Sequence, residues 1–195
     1  LGTPLAVMAD WRVEARPATR EDFHESTEPV GLVAGDDLLA VFNFPAGVRG
    51  LFESRKGLRG QGTPGETIMG LSVVGTEGTL SLRFDDVRRR DLKISRCHVA
   101  PDDEAVYEVV PVLDDRRIPG AGPADLSLGG RRDIPRPPMF VEGPRFAAWD
   151  LVQTIGTERQ PVSNAGNARI VSEMIQAIYA SHFEGRRISW PLAEV

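Results

Sequence analysis

The chain has 195 residues, of which 41% are hydrophobic and 26% are charged, and its formal net charge is -5. This size and composition predict one domain with a substantial hydrophobic core. The negative charge argues against nucleic-acid binding, which requires a basic surface, and no apolar run reaches membrane-spanning length. Cys97 is the only cysteine, so no disulfide can form within the chain. With no signal-peptide pattern, these features predict a cytoplasmic protein.

The first half of the sequence predicts a meandering, mostly antiparallel sheet, because short aliphatic runs alternate with turn residues. A strand is predicted over 4–15 and a charged loop over 16–29. Further strands are predicted over 30–34, 38–44, 48–54, 67–74, 78–84, 91–97 and 105–112. The clearest hairpin joins 67–74 to 78–84 through the turn Gly75-Thr76-Glu77-Gly78.

Residues 111–144 contain seven prolines. Because proline fits neither a helix interior nor a central strand, this segment is predicted to be a long ordered loop that crosses the sheet. A helix is predicted over 144–156, with Gly156 as its stop. Its expected apolar stripe is Phe146, Trp149, Val152 and Ile155.

The last helix is predicted over 164–184, with Ser163 or Asn164 as its cap and Gly185 as its stop. A short strand is expected to follow over 188–192. The apolar face of this helix is predicted to contain Ile170, Val171, Met174, Ile175, Ile178 and His182.

Two predicted strands are apolar on both faces, whereas a sheet with one face in water alternates apolar and polar residues. The first carries Leu38, Ala40, Phe42 and Phe44 on one face and Leu39, Val41 and Asn43 on the other; the second carries Ile68 and Val74 against Met69, Leu71 and Val73. Two helices suffice to cover only one face of the sheet. Since large apolar patches are unusual on monomers, we expect a homo-oligomer through the open sheet face. The alternative is that the proline-rich loop covers it.

The segment Gly60 to Gly65 matches the G-x-G-x-x-G pattern of dinucleotide-binding loops. That pattern requires a helix directly after the loop, but here Pro64 intervenes and a strand-like run follows. A flexible hairpin loop is therefore the preferred interpretation. The basic run at 55–59 leaves open a contact with an anionic group of a neighbouring domain.

Histidines and acidic clusters give no catalytic pattern. His24, His98, His182 and Cys97 lack metal-ligand spacing, and Cys97 and His98 would point to opposite faces of one strand. His98 is interpreted as a surface or hydrogen-bonded residue, with an acid/base role as the alternative. His182 ends the last helix, where a cation suits the helix dipole, so a structural role is expected.

Charged clusters lie beside predicted turns and strand edges. Asp85-Asp86 and Asp102-Asp103-Glu104 are interpreted as solvated turns, since neither has calcium-loop spacing; acid/base work by paired carboxylates is the alternative. Arg88-Arg89-Arg90 is interpreted as a solvated strand edge. No G-x-S-x-G motif occurs. We predict no catalytic, cofactor-binding or metal-binding residue in this chain.

Four segments carry a family pattern. Residues 1–9 are similar to L-G-x-P-x-x-V-x-A, and residues 34–54 to a charged turn followed by A-x-x-x-F and G-x-x-G strands. Residues 74–80 match G-T-x-G-x-L, and residues 177–192 are similar to an A-x-x-x-S, G-x-x-V, P-L ending. In this order they resemble the C-terminal domain of the Gfo/Idh/MocA family of NAD(P)-dependent oxidoreductases. Residues 91–142 carry no such similarity.

The resemblance implies an α+β fold: an open-faced, mostly antiparallel β-sheet with helices packed on one face, forming a single C-terminal domain over 1–195. In the family, an N-terminal Rossmann domain binds NAD or NADP. Its catalytic lysine, in E-K-P, and its aspartate and histidine, in D-x-G-x-H, precede L-G-x-P. The chain, which opens at that motif without methionine, is therefore expected to lack the cofactor site and the catalytic residues.

The expected partners are the missing Rossmann domain, a second copy of the chain and, in the intact enzyme, a sugar, cyclitol or related polyol. This domain would shape the substrate pocket and the subunit interface without catalysing alone. One alternative is a non-enzymatic binding or assembly module with the same fold. A weaker alternative is an unrelated α+β binding domain.

Overall fold

The computed structural model describes residues 1–26, 31–55, 69–84, 90–96, 106–111, 118 and 138–192. Its strands in chain order are β1 (Ala6–Val13), β2 (Arg16–Pro17), β3 (His24–Glu25), β4 (Leu32–Val33), β5 (Asp37–Asn43), β6 (Arg49–Arg55), β7 (Met69–Gly75), β8 (Gly78–Phe84), β9 (Arg90–Ser95), β10 (Glu108–Val109) and β11 (Ile188–Ser189). The helices are α1 (Pro138–Thr154) and α2 (Ala165–Glu184). The predicted α+β class is confirmed, and each described strand pair is antiparallel.

The chain divides into two compact units. The first comprises Leu1–Gly57 with Ser163–Val195, and its main sheet has the order β11-β1-β5-β6, with β2 paired to β1. A small sheet of β3 and β4 also belongs to it. The second unit comprises Leu58–Val162, and its sheet has the order β10-β9-β8-β7.

Most predicted strands are confirmed, with shifted ends. The hairpin of β7 and β8 turns at Thr76 and Glu77, as expected. The predicted loop over 16–29 is only partly a loop, because β2 and β3 lie within it. The strand predicted over 105–112 is reduced to β10.

The core of the first unit lies between α2 and one face of its main sheet. Val7, Ala40 and Phe42 pack there against Ala177 and Ile178. Val7 faces Phe42 across the strand pair, so both side chains point to the helix. This arrangement confirms the prediction that a helix packs on one sheet face.

The predicted apolar face of α2 is wrong at two positions. Val171 is 55% exposed and Ile175 is 48% exposed, whereas Ala177 and Ser181 are buried against the sheet. Small side chains let the helix axis approach the strands closely, and they therefore occupy the line of contact. The periodicity of large apolar residues did not reveal that line.

The predicted start of α1 is also wrong. The helix begins at Pro138 rather than at residue 144, and Pro144 lies inside it. Proline is tolerated in the first turn of a helix, where its missing N–H has no partner to lose. Pro144 follows Gly143, which has no Cβ to collide with the proline ring. The rest of the predicted loop, residues 112–117 and 119–137, lies outside the described residues.

The predicted helix ends are confirmed. The Asn164 side chain accepts a hydrogen bond from the Asn167 backbone N–H at 3.0 Å, which caps α2. Gly185 ends α2 in the left-handed conformation, with φ +62°. Gly156 follows α1 with φ +76°, a conformation that favours glycine.

Candidate functional site

The face of the first sheet opposite α2 carries an apolar stripe across three strands. Met8, Val41 and Leu51 are direct cross-strand partners on β1, β5 and β6. Alternation along β1 places Met8 on the opposite face from the core residue Val7. Met8 is 57% exposed, Leu51 is 69% exposed, and Leu39 extends the stripe along β5. We name Met8, Leu39, Val41 and Leu51 the open-face stripe.

Charged residues on the same face pair with one another beyond this stripe. Arg12 Nε lies 2.8 Å from Asp10 Oδ2. Arg55 Nε lies 3.4 Å from Asp37 Oδ1, and Arg55 Nη2 lies 2.9 Å from Glu53 Oε1. These exposed pairs contribute little stability. The charges of these residues are therefore balanced by partners within the same sheet.

The second sheet is apolar on one face. Register places six aliphatic side chains there: Leu71, Val73, Leu80, Leu82, Leu92 and Ile94. Leu71 and Val73 are about half exposed. The other face carries Ser72, Ser81 and Lys93, with Val74 as an exposed apolar residue. Val74 thus lies on the opposite face from Leu71 and Val73, as predicted. Ile68, the other apolar residue expected on the face of Val74, lies outside the described residues.

Two side chains of α2 bind the backbone of β1 along a part of its edge where none of the described strands pairs with it. β11 pairs with β1 at Ala6 and Val7, and β2 pairs at Arg12 and Val13. Between these pairs, Ala9 N–H donates to Ser181 Oγ at 3.0 Å, and Trp11 N–H donates to His182 Nδ1 at 3.1 Å. The helix thus satisfies buried backbone donors that a strand would otherwise satisfy.

His182 has the structural role that the sequence predicts, but not as a cation at the helix end. Its Nδ1 accepts a backbone hydrogen bond, so the nitrogen must present a lone pair. No local pattern in the sequence indicates this contact, because the two partners are 171 residues apart.

An aromatic cluster lies beside this contact. The Trp11 and Tyr179 ring centroids are 4.2 Å apart, and Phe23 lies 5.4 Å from Tyr179 and 5.6 Å from Phe183. Burial raises the pKa of Tyr179, an effect that a backbone hydrogen bond from Ala34 opposes. Aromatic pairs in such tilted arrangements stabilise a fold beyond their buried area.

Residues 14–26 form a segment that folds back on β1, and we name it the 14–26 segment. Arg16 and Asp22 form a bidentate ion pair, with N–O distances of 2.8 and 2.5 Å. The bond from Arg16, and then the 2.7 Å bond from Thr19 N–H, hold the pKa of Asp22 well below its usual range. Phe23 anchors the segment in the aromatic cluster.

The remaining sequence candidates do not assemble a reactive centre in the described part of the chain. His24 Nδ1 lies 3.1 Å from the Asp22 carbonyl oxygen, and Arg55 is engaged by the carboxylates noted above. Within the described ranges, no three His, Cys, Asp or Glu side chains come together as metal ligands would. Neither described helix is long and apolar enough to cross a membrane. Outside the described residues lie 56–65, Asp85-Asp86, Arg88, Arg89, Cys97, His98 and Asp102-Asp103-Glu104.

Solved oxidoreductases share this fold. An NAD-binding oxidoreductase from Klebsiella pneumoniae matches 99% of the chain with a TM-score of 0.58 at 20% identity. The WlbA dehydrogenase from Bordetella pertussis, in complex with NADH and UDP-GlcNAcA, matches 99% with a TM-score of 0.57 at 16% identity. A levoglucosan dehydrogenase, in complex with NADH and L-sorbose, matches 99% with a TM-score of 0.56 at 16% identity.

The chain covers 47%, 44% and 46% of these three proteins, so it spans about half of their length. No family model matches the sequence. No curated protein matches it either. At these identities the likeness shows a common fold and does not show a common activity.

Proposed function

We propose that residues 1–195 form the C-terminal domain of a Gfo/Idh/MocA-type NAD(P)-dependent oxidoreductase that acts on a sugar, cyclitol or related polyol. The observation that carries this proposal is the match of nearly the whole chain to about half of several NAD-binding oxidoreductases. Four sequence segments also support it, because they resemble the family pattern and follow one another in the same order as in the family: 1–9, 34–54, 74–80 and 177–192. The domain supplies walls of the substrate pocket and a subunit interface.

In the intact enzyme, a hydride passes between a carbinol carbon of the substrate and the nicotinamide ring. The N-terminal half of the enzyme binds NAD or NADP and supplies the groups that move the hydroxyl proton. The described residues of this chain fit a supporting role, since Ser181 and His182 already bond the backbone of β1 and are not available to a substrate.

The test of activity uses the longer product of the reading frame that contains this chain. We expect that product to reduce NAD or NADP with at least one member of a panel of sugars and cyclitols, followed by the absorbance of reduced nicotinamide. The 195-residue chain, assayed beside it, should show no turnover. A longer product that binds neither cofactor nor polyol would instead favour a binding or assembly module.

We further propose that the open-face stripe is buried between two copies of this chain. Exposed aliphatic side chains in cross-strand contact support this, and so does the pairing of neighbouring charges within the sheet, because a second copy then meets few unpaired ions.

The variant Leu51→Glu tests this interface. A carboxylate on the stripe would be buried against apolar side chains of the partner, so the dissociation constant should rise on the order of a hundredfold. Light scattering after size exclusion measures the change. The control Val171→Glu places the same charge on the exposed side of α2 and should leave the assembly intact. A wild-type chain that is monomeric at micromolar concentration would contradict the interface.

A further inference from the structure

His182 closes a ring of three hydrogen bonds between α2, β1 and the 14–26 segment. Trp11 N–H donates to His182 Nδ1 at 3.1 Å, and His182 Nε2 lies 2.8 Å from the Ala18 carbonyl oxygen. Ala18 N–H completes the ring by donating to the Trp11 carbonyl oxygen at 2.9 Å. The imidazole therefore lies between two backbone segments and bonds to both.

Only one protonation state of the imidazole satisfies these bonds. A backbone N–H can only donate, so Nδ1 must accept from Trp11. A carbonyl oxygen can only accept, so Nε2 must carry the hydrogen that points to Ala18. The neutral Nε2–H tautomer meets both conditions. The imidazolium ion carries a hydrogen on each nitrogen, so it sets its Nδ1–H against the Trp11 N–H and loses that bond.

The surroundings offer the protonated ring a different partner. The His182 side chain is only 8% exposed, so water solvates a cation poorly in place, and Asp10 Oδ1 lies 4.0 Å from Nδ1. Asp10 also binds Arg12 at 2.8 Å. On the other side, the Phe183 ring meets the imidazole edge-on at 5.1 Å, and the Arg20 guanidinium lies 5.6 Å from that ring. A turn of the imidazole toward Asp10 gives the cation a carboxylate.

We propose that His182 is a proton-operated clasp between α2 and β1. The neutral ring bonds both Trp11 and Ala18, and protonation breaks the bond to Trp11 while Nε2–H still donates to the Ala18 carbonyl oxygen. The pairing of β2 with Arg12 and Val13 remains, as does the packing of Phe23 in the aromatic cluster, so the response is local and the fold persists. This inference does not depend on the proposed oxidoreductase activity.

Amide hydrogen exchange at residue resolution tests the clasp on the full chain. After correction for intrinsic exchange, the protection of the Trp11 amide should be lower at acidic pH, where the imidazolium forms, than at neutral pH. Since one proton is taken up, the fall should not exceed about tenfold for each pH unit. Asp22 remains ionised throughout, because its pKa is held well below its usual range.

Two variants separate the clasp from other titrations. In His182→Gln the side chain keeps a donor and an acceptor but cannot be protonated, so protection should not depend on pH. His24→Gln removes the other histidine of this region and should retain the response. Nitrogen NMR shifts of the His182 ring should show the Nε2–H tautomer at neutral pH. An Nδ1–H tautomer, a flat response in the wild type or a response that persists in His182→Gln would each overturn the proposal.

Discussion

Ser181 joins three parts of the first unit through one hydroxyl group. Its Oγ accepts from Ala9 N–H of β1 and donates to the Arg186 carbonyl oxygen beyond the end of α2. The residue is only 1% exposed, so water cannot replace either bond. Because this buried hydroxyl forms both hydrogen bonds, it fixes the position of α2 along β1.

Ser181→Ala should therefore lower the free energy of unfolding by about 1–3 kcal/mol, because the buried Ala9 N–H loses its partner. Urea denaturation measures the change. Ser172→Ala on the exposed side of α2 is the matched control and should stay within about 0.5 kcal/mol of the wild type. Equal effects of the two variants would contradict the role given to Ser181.

Gly35 packs directly against the indole ring of Trp11. Its φ is +82°, and a Cβ at this position would overlap the indole ring. Gly47 has a similar φ of +76° but open space around it. The two glycines thus share a backbone conformation and differ in their contact with a side chain.

Gly35→Ala should destabilise the chain by about 1–3 kcal/mol more than Gly47→Ala, since both incur the cost of a positive φ but only the first displaces Trp11. Thermal or urea denaturation of the two variants gives the difference. Comparable stabilities would show that the indole moves aside without cost.

At the scale of elements, the 14–26 segment depends on ionised Asp22. Because its folded pKa lies below the unfolded value of about 3.9, the ionised carboxylate stabilises the fold at every pH above that value. This contribution is lost as the pH falls from about 4 through the folded pKa.

Asp22→Asn should therefore be less stable than the wild type at neutral pH, and the difference should shrink below about pH 4 as the wild-type carboxyl is protonated. Urea midpoints at several pH values measure it. Glu21→Gln removes a neighbouring charge of the same sign and serves as the control. A difference between Asp22→Asn and wild type that does not change with pH would contradict the ion pair with Arg16.

The ends of α2 were predictable from single residues, whereas the exact line along which α2 contacts the sheet was not predictable. The Asn164 cap and the Gly185 stop each follow from the conformational preference of one residue. Which side of the helix meets the sheet depends on how closely Ala177 and Ser181 let it approach, and no local pattern encodes that distance. Pro144 misled the prediction of α1 for a different reason, because proline usually marks the start or end of a helix, whereas here it lies inside α1 after Gly143.

The hydrogen bonds from β1 to Ser181 and His182 were not predictable from the sequence. They join positions 172 and 171 residues apart, and both side chains replace a missing strand neighbour that only the sheet topology defines. A serine and a histidine near the end of a helix have many possible roles. Here the strand order leaves part of the β1 edge to these two side chains, and both accept hydrogen bonds from its backbone.

At the scale of the whole molecule, the antiparallel fold was predictable from the alternation of strands and turns. Nearly the whole chain matches about half of several NAD-binding oxidoreductases. The proposed function therefore assigns nicotinamide binding to sequence outside these 195 residues.

Calorimetric titration with NAD and NADP tests this assignment most directly, with the 195-residue chain and the longer product of its reading frame measured side by side. We predict that the longer product binds one of the two cofactors and that the 195-residue chain binds neither. Tight binding by the 195-residue chain, or no binding by the longer product, would contradict the proposed function.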